Sequence, residues 1–185
     1  MRLYLVRHGE AEGNRQGRYI GWEDLPLTSV GAKQAETLAR SLAYHPITAV
    51  HSSDLSRAIA TATAIAAPHH LPVRPNPDLR EANFGAWSGL TYEEIARTHS
   101  GPLRTWIGDP ERHAPPGGES LAALRRRALR AIPRQDGAVV VSHGGTLRAL
   151  LAHWTGRAFW ELHVPLACWI VVEWDGEMAQ EISWP

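Results

Sequence analysis

Three short apolar runs, each closed by a polar or glycine-rich cluster, constrain this chain more than anything else in it. Residues 3–6 end in Arg7-His8-Gly9, residues 47–50 in His51-Ser52-Ser53-Asp54, and residues 138–141 in Ser142-His143-Gly144-Gly145. Apolar runs without polar alternation suit strands buried on both faces, and such strands belong to parallel sheets covered by helices on either side. Helical periodicity fills the intervals. Behind a cap at Thr28, the residues Ala32, Ala35, Leu38, Ala39 and Leu42 share one face, up to a stop near Pro46. Ser53 or Asp54 is the expected cap of a helix running to Pro68, and Thr91 with Glu94 forms a capping box. Ser120 opens a helix through Leu121, Leu124, Ala128 and Ile132, and Thr146 one through Leu147, Leu150, Leu151 and Trp154. Residues 169–174 and 178–182 around Asp175-Gly176 read as a closing hairpin. The expected fold is a three-layer α/β sandwich: a mostly parallel central sheet, helices on both faces, and an antiparallel edge hairpin. No repeat or low-complexity tract divides it, so residues 1–185 are read as a single domain.

Charge narrows the function classes. The 19 basic side chains balance 19 acidic ones, which leaves no global field to hold a nucleic acid or an anionic membrane. A chain of 185 residues buries about 70% of the surface its unfolded form exposes and needs neither disulfide nor structural metal to fold. The single cysteine, Cys168, forms no internal bridge and is read as a small buried hydrophobe. Arg2 and Arg7 interrupt the first apolar stretch before a signal-peptide core is reached, so a cytoplasmic location is expected.

The three clusters all follow strands, which in an open α/β sheet is the rim where ligands bind. His8, Arg57 and His143 are thereby aimed at one crevice, with Arg57 in the first turn of the helix after Ser52-Ser53-Asp54 and Arg7 directly before His8. Guanidinium forks match phosphate oxygens bidentately and helix N-termini add free N–H groups, so the set makes an anion cage. Each member also has a plainer reading, because a lone strand-end histidine is usually structural. His51, His69, His70, His99 and His113 lack this context and go to surface or packing roles. The run Arg125-Arg126-Arg127, with Arg130, reads as a solvated helix face. Trp22, Trp87 and Trp106 either line a pocket or pack. A zinc site built from His8, His51 and His143 is the competing chemistry, and Arg7 and Arg57 argue against it by repulsion.

Arg7-His8-Gly9-Glu10 with Asn14 resembles the signature of the histidine phosphatase superfamily, the phosphoglycerate mutase-like proteins. The resemblance continues in order through Gly21-Trp22, Leu27-Thr28, Ser52-Ser53-Asp54-Leu55 with Arg57, Leu79-Arg80-Glu81, Phe84-Gly85, Pro116-Gly117-Gly118-Glu119-Ser120 and Ser142-His143-Gly144-Gly145. It implies a nucleophilic His8, a phosphate pocket of Arg7, Arg57 and His143 helped by Asn14, and Glu81 as proton donor. Gly144 and Trp22 join the substrate-binding candidates. It further implies a small-molecule phosphate ester as substrate and no metal or other cofactor. Mutases of the superfamily carry a longer, more basic insertion after the Glu81 region, whereas residues 82–116 here hold only Arg97, Arg104 and Arg112. The resemblance is therefore to the phosphatase branch, and the stretch from Phe159-Trp160 to Cys168-Trp169 is similar to the α-ribazole phosphatases. A cofactor-dependent mutase and a non-catalytic phosphate-binding module are the alternatives, and a homodimer stays open as an assembly.

Overall fold

The computed structural model describes residues 1–176 and 178–183, with the backbone alone at 180–182. Six strands, β1 (Arg2–Arg7), β2 (Ala49–Ser52), β3 (Val73–Pro75), β4 (Ala138–Ser142), β5 (Trp169–Trp174) and β6 (Ala179–Ser183), form one sheet in the order β3-β2-β4-β1-β5-β6. The first four are parallel to one another, and β5 and β6 add the antiparallel edge as a hairpin. This is the expected sandwich, extended by the three-residue strand β3, whose Val-Arg-Pro sequence carries too little pattern to announce itself.

Side-chain alternation along β1 feeds two cores. Leu3 and Leu5, with Val140, Ile170 and Val172, pack against α5 (Leu121–Ala131) and α6 (Gly144–Thr155) through Ala128, Leu147, Leu150 and Trp154. Tyr4 and Val6, with Val50, Val139 and Val141, pack on the opposite face against α1 (Ser29–Leu42) and α2 (Ser56–Ala66) through Leu38, Leu42, Ala58 and Ile65. Fully burying one such aliphatic side chain contributes roughly 1.5–3 kcal/mol, so the two faces supply most of the drive to this arrangement. A smaller cluster of Trp87, Ile95, Leu103 and Trp106 joins α3 (Tyr92–Thr98) and α4 (Ser100–Gly108).

The caps at Thr28, Thr91 and Ser120 form as expected, each side-chain oxygen accepting from the amide three residues on. Two others do not. At the start of α2 the Ser56 amide donates to Asp24 Oδ1 at 2.7 Å, a carboxylate from a distant loop. Asp54 instead takes a bidentate pair with Arg80, at 2.6 Å to each oxygen. Helix α6 starts before Thr146, at Gly144, and the Thr146 hydroxyl donates to the Arg80 carbonyl at 2.8 Å. Among the described residues no helix is long and apolar enough to cross a membrane.

Candidate active site

The strand order β2-β4-β1 explains why the clusters meet. Register continues past the strand ends, with the Ser53 amide on the Val141 carbonyl (2.9 Å) and the His8 amide on the Ser142 carbonyl (3.1 Å). His8, Ser53 and His143 therefore leave the sheet side by side. The His8 and His143 ring centroids lie 4.9 Å apart. His8 Nδ1 is 2.6 Å from the Gly9 carbonyl; as the protonated nitrogen it donates there, which leaves Nε2 with the lone pair. Burial, then the positive Arg57, push this imidazole down to about 3, with the Gly9 carbonyl opposing and Arg7 adding to the effect. The ring is thus neutral at pH 7. His143 is held well below its ordinary value by burial first, then by His8, Arg57 and Arg7.

The two arginines are aimed by main-chain carbonyls. Arg57 Nη1 and Nη2 donate to Glu23 and Gly21, each at 2.7 Å, and Arg7 Nη1 donates to Val164 at 2.6 Å. Glu81 sits at the N-terminus of α6, where its carboxylate accepts from the amides of Ala82 (2.9 Å), Gly145 (3.0 Å) and Thr146 (3.2 Å). A Cβ on Gly145 would collide with Glu81 Oε1, so the second glycine of Gly144-Gly145 makes room for the acid.

These groups open into a cavity of about 330 Å³ whose wall includes Arg7, His8, Asn14, Arg57 and Glu81. Three further residues singled out in the sequence lie off that wall. His143 is fully buried beside His8, with Nε2 at 2.8 Å from Ser53 Oγ and Nδ1 buried without a partner among the described residues. Gly144 faces the Arg7 guanidinium, which a Cβ there would crowd at 2.9 Å. Trp22 is half-exposed and donates from Nε1 to the Glu81 carbonyl at 2.7 Å. His51 does not join His8 and His143, and no cluster of three potential metal-ligating His, Cys, Asp or Glu side chains occurs among the described residues.

A match to the superfamily's branch 1 family model runs over residues 3–184. The chain belongs to the histidine phosphatase superfamily. Relatives of this histidine phosphatase include the adenosylcobalamin/alpha-ribazole phosphatase of Salmonella typhimurium, 34% identical over 94% of this chain and 90% of that protein. Phosphoserine phosphatase 1 of Hydrogenobacter thermophilus is 33% identical over 95% of this chain and 87% of that protein. Among solved structures, the alpha-ribazole phosphatase from Shigella flexneri superposes with a TM-score of 0.86 at 31% identity, covering 97% of this chain and 93% of that one.

The phosphatase cavity also draws on Trp106, for which the pocket-lining reading holds, on Phe84, Phe159 and Trp160 from stretches that carry the resemblance, and on Tyr19 and Arg148, which the sequence reading passed over. Together they make up an aromatic part of the wall, with Arg148 also reaching the Gly144 carbonyl beside His143. Trp160 meets Trp106 edge-to-face at 5.4 Å and Phe159 at 4.8 Å, and the Arg148 guanidinium stacks over Phe159 at 4.4 Å. Trp87, by contrast, is wholly buried beneath Trp106 and packs only. Arg127 overturns the reading of its run as a solvated face: it is 8% exposed and bound to Glu119 and to three main-chain carbonyls, while Arg126 and Arg130 remain in solvent. The sign that could have separated it is helical phase, since Leu124, Arg127, Ala128 and Ala131 fall on one face of α5.

Proposed function

We propose that this histidine phosphatase hydrolyses phosphate monoesters through a phosphohistidine on His8, with no metal in the chemical steps. The observation that carries the reading is the pairing of a neutral His8, free at Nε2, with the Arg7 and Arg57 guanidiniums on one cavity wall. His8 Nε2 attacks phosphorus, the P–O bond to the leaving group breaks, and Glu81 gives that oxygen its proton. Water then attacks the phosphohistidine, Glu81 takes the proton back, and inorganic phosphate leaves. Arg7, Arg57 and the buried Nδ1 of His143 stabilise charge on the transferring group, which is most of what phosphoryl transfer asks of a protein.

For the leaving group, the aromatic end of the cavity favours a flat ring, and α-ribazole 5′-phosphate fits both that chemistry and the names of the relatives. A second reading rests on Arg148, whose Nη atoms have no acceptor among the described residues while Nε reaches the Gly144 carbonyl at 3.3 Å. A spare guanidinium fork suits a carboxylate, as in phosphoserine. The kcat/KM values of the two esters, measured on one preparation, decide between them.

The reaction itself is tested by rapid alkaline quench after mixing with radiolabelled ester. Wild type should carry an acid-labile phosphoryl group and His8→Ala none, with turnover lost and the fold retained. Label on another residue type, or turnover that depends on a bisphosphorylated glycerate as a mutase's would, overturns the proposal.

A further inference from the structure

Glu81 lies in an irregular stretch between two short 3-10 turns, Pro77–Leu79 and Gly85–Trp87. Carbonyls in such loops ordinarily bond water. Here the carbonyls of residues 78–81 are all claimed by side chains from elsewhere. Arg127 Nη1 donates to Asp78 (2.9 Å) and Arg80 (2.7 Å), and Nη2 donates to Glu81 (2.7 Å), which also accepts from Trp22 Nε1. Ser142 Oγ holds Leu79 at 2.7 Å. The remaining Arg127 donors go to Glu119, Nε to Oε2 at 3.0 Å and Nη2 to Oε1 at 2.5 Å, so all five of its N–H groups are spent. Glu119 in turn grips the far side of the loop: Oε1 accepts from the Asn83 amide (2.8 Å), and its own amide donates to the Asn83 carbonyl (2.9 Å). Gly85 and Gly118 let the two segments touch, because a Cβ at either would strike the other's main chain.

An ion pair this buried, at 10% and 15% side-chain exposure, adds little net stability over apolar residues of the same volume. Its bonds converge instead on the main chain either side of one carboxyl group. We propose that Arg127, Glu119 and Trp22 are positioning residues that fix Glu81 at the leaving-group oxygen. This rests on the reading of Glu81 as the proton donor. It also gives a task to Pro116-Gly117-Gly118-Glu119-Ser120, which brings Glu119 and Gly118 against the loop.

The experiment compares single-turnover phosphorylation by an alkyl ester, glycerol phosphate, with that by an aryl ester, p-nitrophenyl phosphate, whose phenolate leaves unaided. Glu81→Gln sets the scale: the alkyl rate should fall by about 100-fold or more and the aryl rate far less. Arg127→Lys and Glu119→Gln should lower the alkyl-to-aryl ratio by tenfold or more, and adding either to Glu81→Gln should cost nothing further. Trp22→Phe loses one N–H at a half-exposed site that tolerates the change; its ratio should drop about two- to tenfold, which keeps a test available if the Arg127 variant does not fold. Equal losses on both esters, or losses that multiply with Glu81→Gln, overturn the positioning role alone. A Glu81→Gln enzyme with an unchanged ratio overturns the proton-donor reading and the positioning role with it.

Discussion

The two ends of the cavity are built differently. At the phosphate end His8, Arg57 and His143 are 3%, 1% and 0% exposed, stand at the ends of adjacent strands or the first turn of a helix, and are each tied to fixed main-chain or hydroxyl partners. At the leaving-group end the wall is assembled from five separate segments of the chain, Trp160 is 52% exposed, and Arg148 is held only through Nε. A rigid, water-poor cage stabilises the same phosphoryl charge for any ester, whereas a wall of aromatic faces and one spare cation grades the esters by what they carry. On the proposed function, reaction class would belong to the first region and substrate choice to the second.

The sharpest way to break that division is Arg57→Lys, which keeps the charge and loses the fork. The expected loss in kcat/KM is about 100- to 1,000-fold, the scale for removing a preorganised charge-stabilising donor, and it should be the same for alkyl, aryl and nucleoside-like esters. Rates on a panel of esters check it. A loss that varies with the leaving group by more than a few-fold would mean that Arg57 serves both ends.

Acid should expose the same contrast in stability. The His8 folded-state value of about 3 lies below its ordinary 6.5, so between those limits the unfolded chain binds more protons than the folded one. This contribution is complete above pH 6.5 and is lost as pH falls toward 3, at about 1.4 kcal/mol per pH unit, and His143, shifted the same way, adds to the slope. By about pH 5 the loss from His8 amounts to about 2 kcal/mol. Denaturant melts across this range should show a flatter slope in His8→Asn and an unchanged slope in Trp160→Ala, since His8 is the only histidine on the cavity wall among the described residues. A wild-type slope indifferent to pH would contradict the buried, neutral pair.

The same division governs what could be read from the sequence. Strand-end motifs are local: three apolar runs and their polar tails announce the sheet, the rim and the His8–Arg57–His143 grouping without knowledge of any contact. Arg127 is the opposite case, because its partners besides Glu119 are main-chain carbonyls of residues 78, 80 and 81, which leave no trace in side-chain identity. Asp24 capping α2 from another loop, in place of Ser53 or Asp54, is invisible for the same reason. Trp106 and Trp160 come from α4 and a 3-10 turn more than 50 positions apart, and only their edge-to-face contact in the folded chain makes them one wall.

The smallest and most selective effects should come from that wall. Trp160→Ala removes a face worth about 1–3 kcal/mol of ring stacking, so kcat/KM for α-ribazole 5′-phosphate should fall between about fivefold and a hundredfold. Glycerol phosphate, with nothing to stack, should lose little. Arg148→Met keeps an aliphatic side chain but removes the guanidinium that lies over Phe159, so its main cost should appear with phosphoserine and not with the neutral-base ester. If Trp160→Ala harms only the flat ester and Arg148→Met harms neither, the wall selects rings and the spare cation is idle. If Arg148→Met harms phosphoserine more than Trp160→Ala harms α-ribazole 5′-phosphate, the second region is a carboxylate reader and its aromatics serve to orient one guanidinium. Equal losses across all three esters would end the comparison itself, because the two regions would then act as a single site.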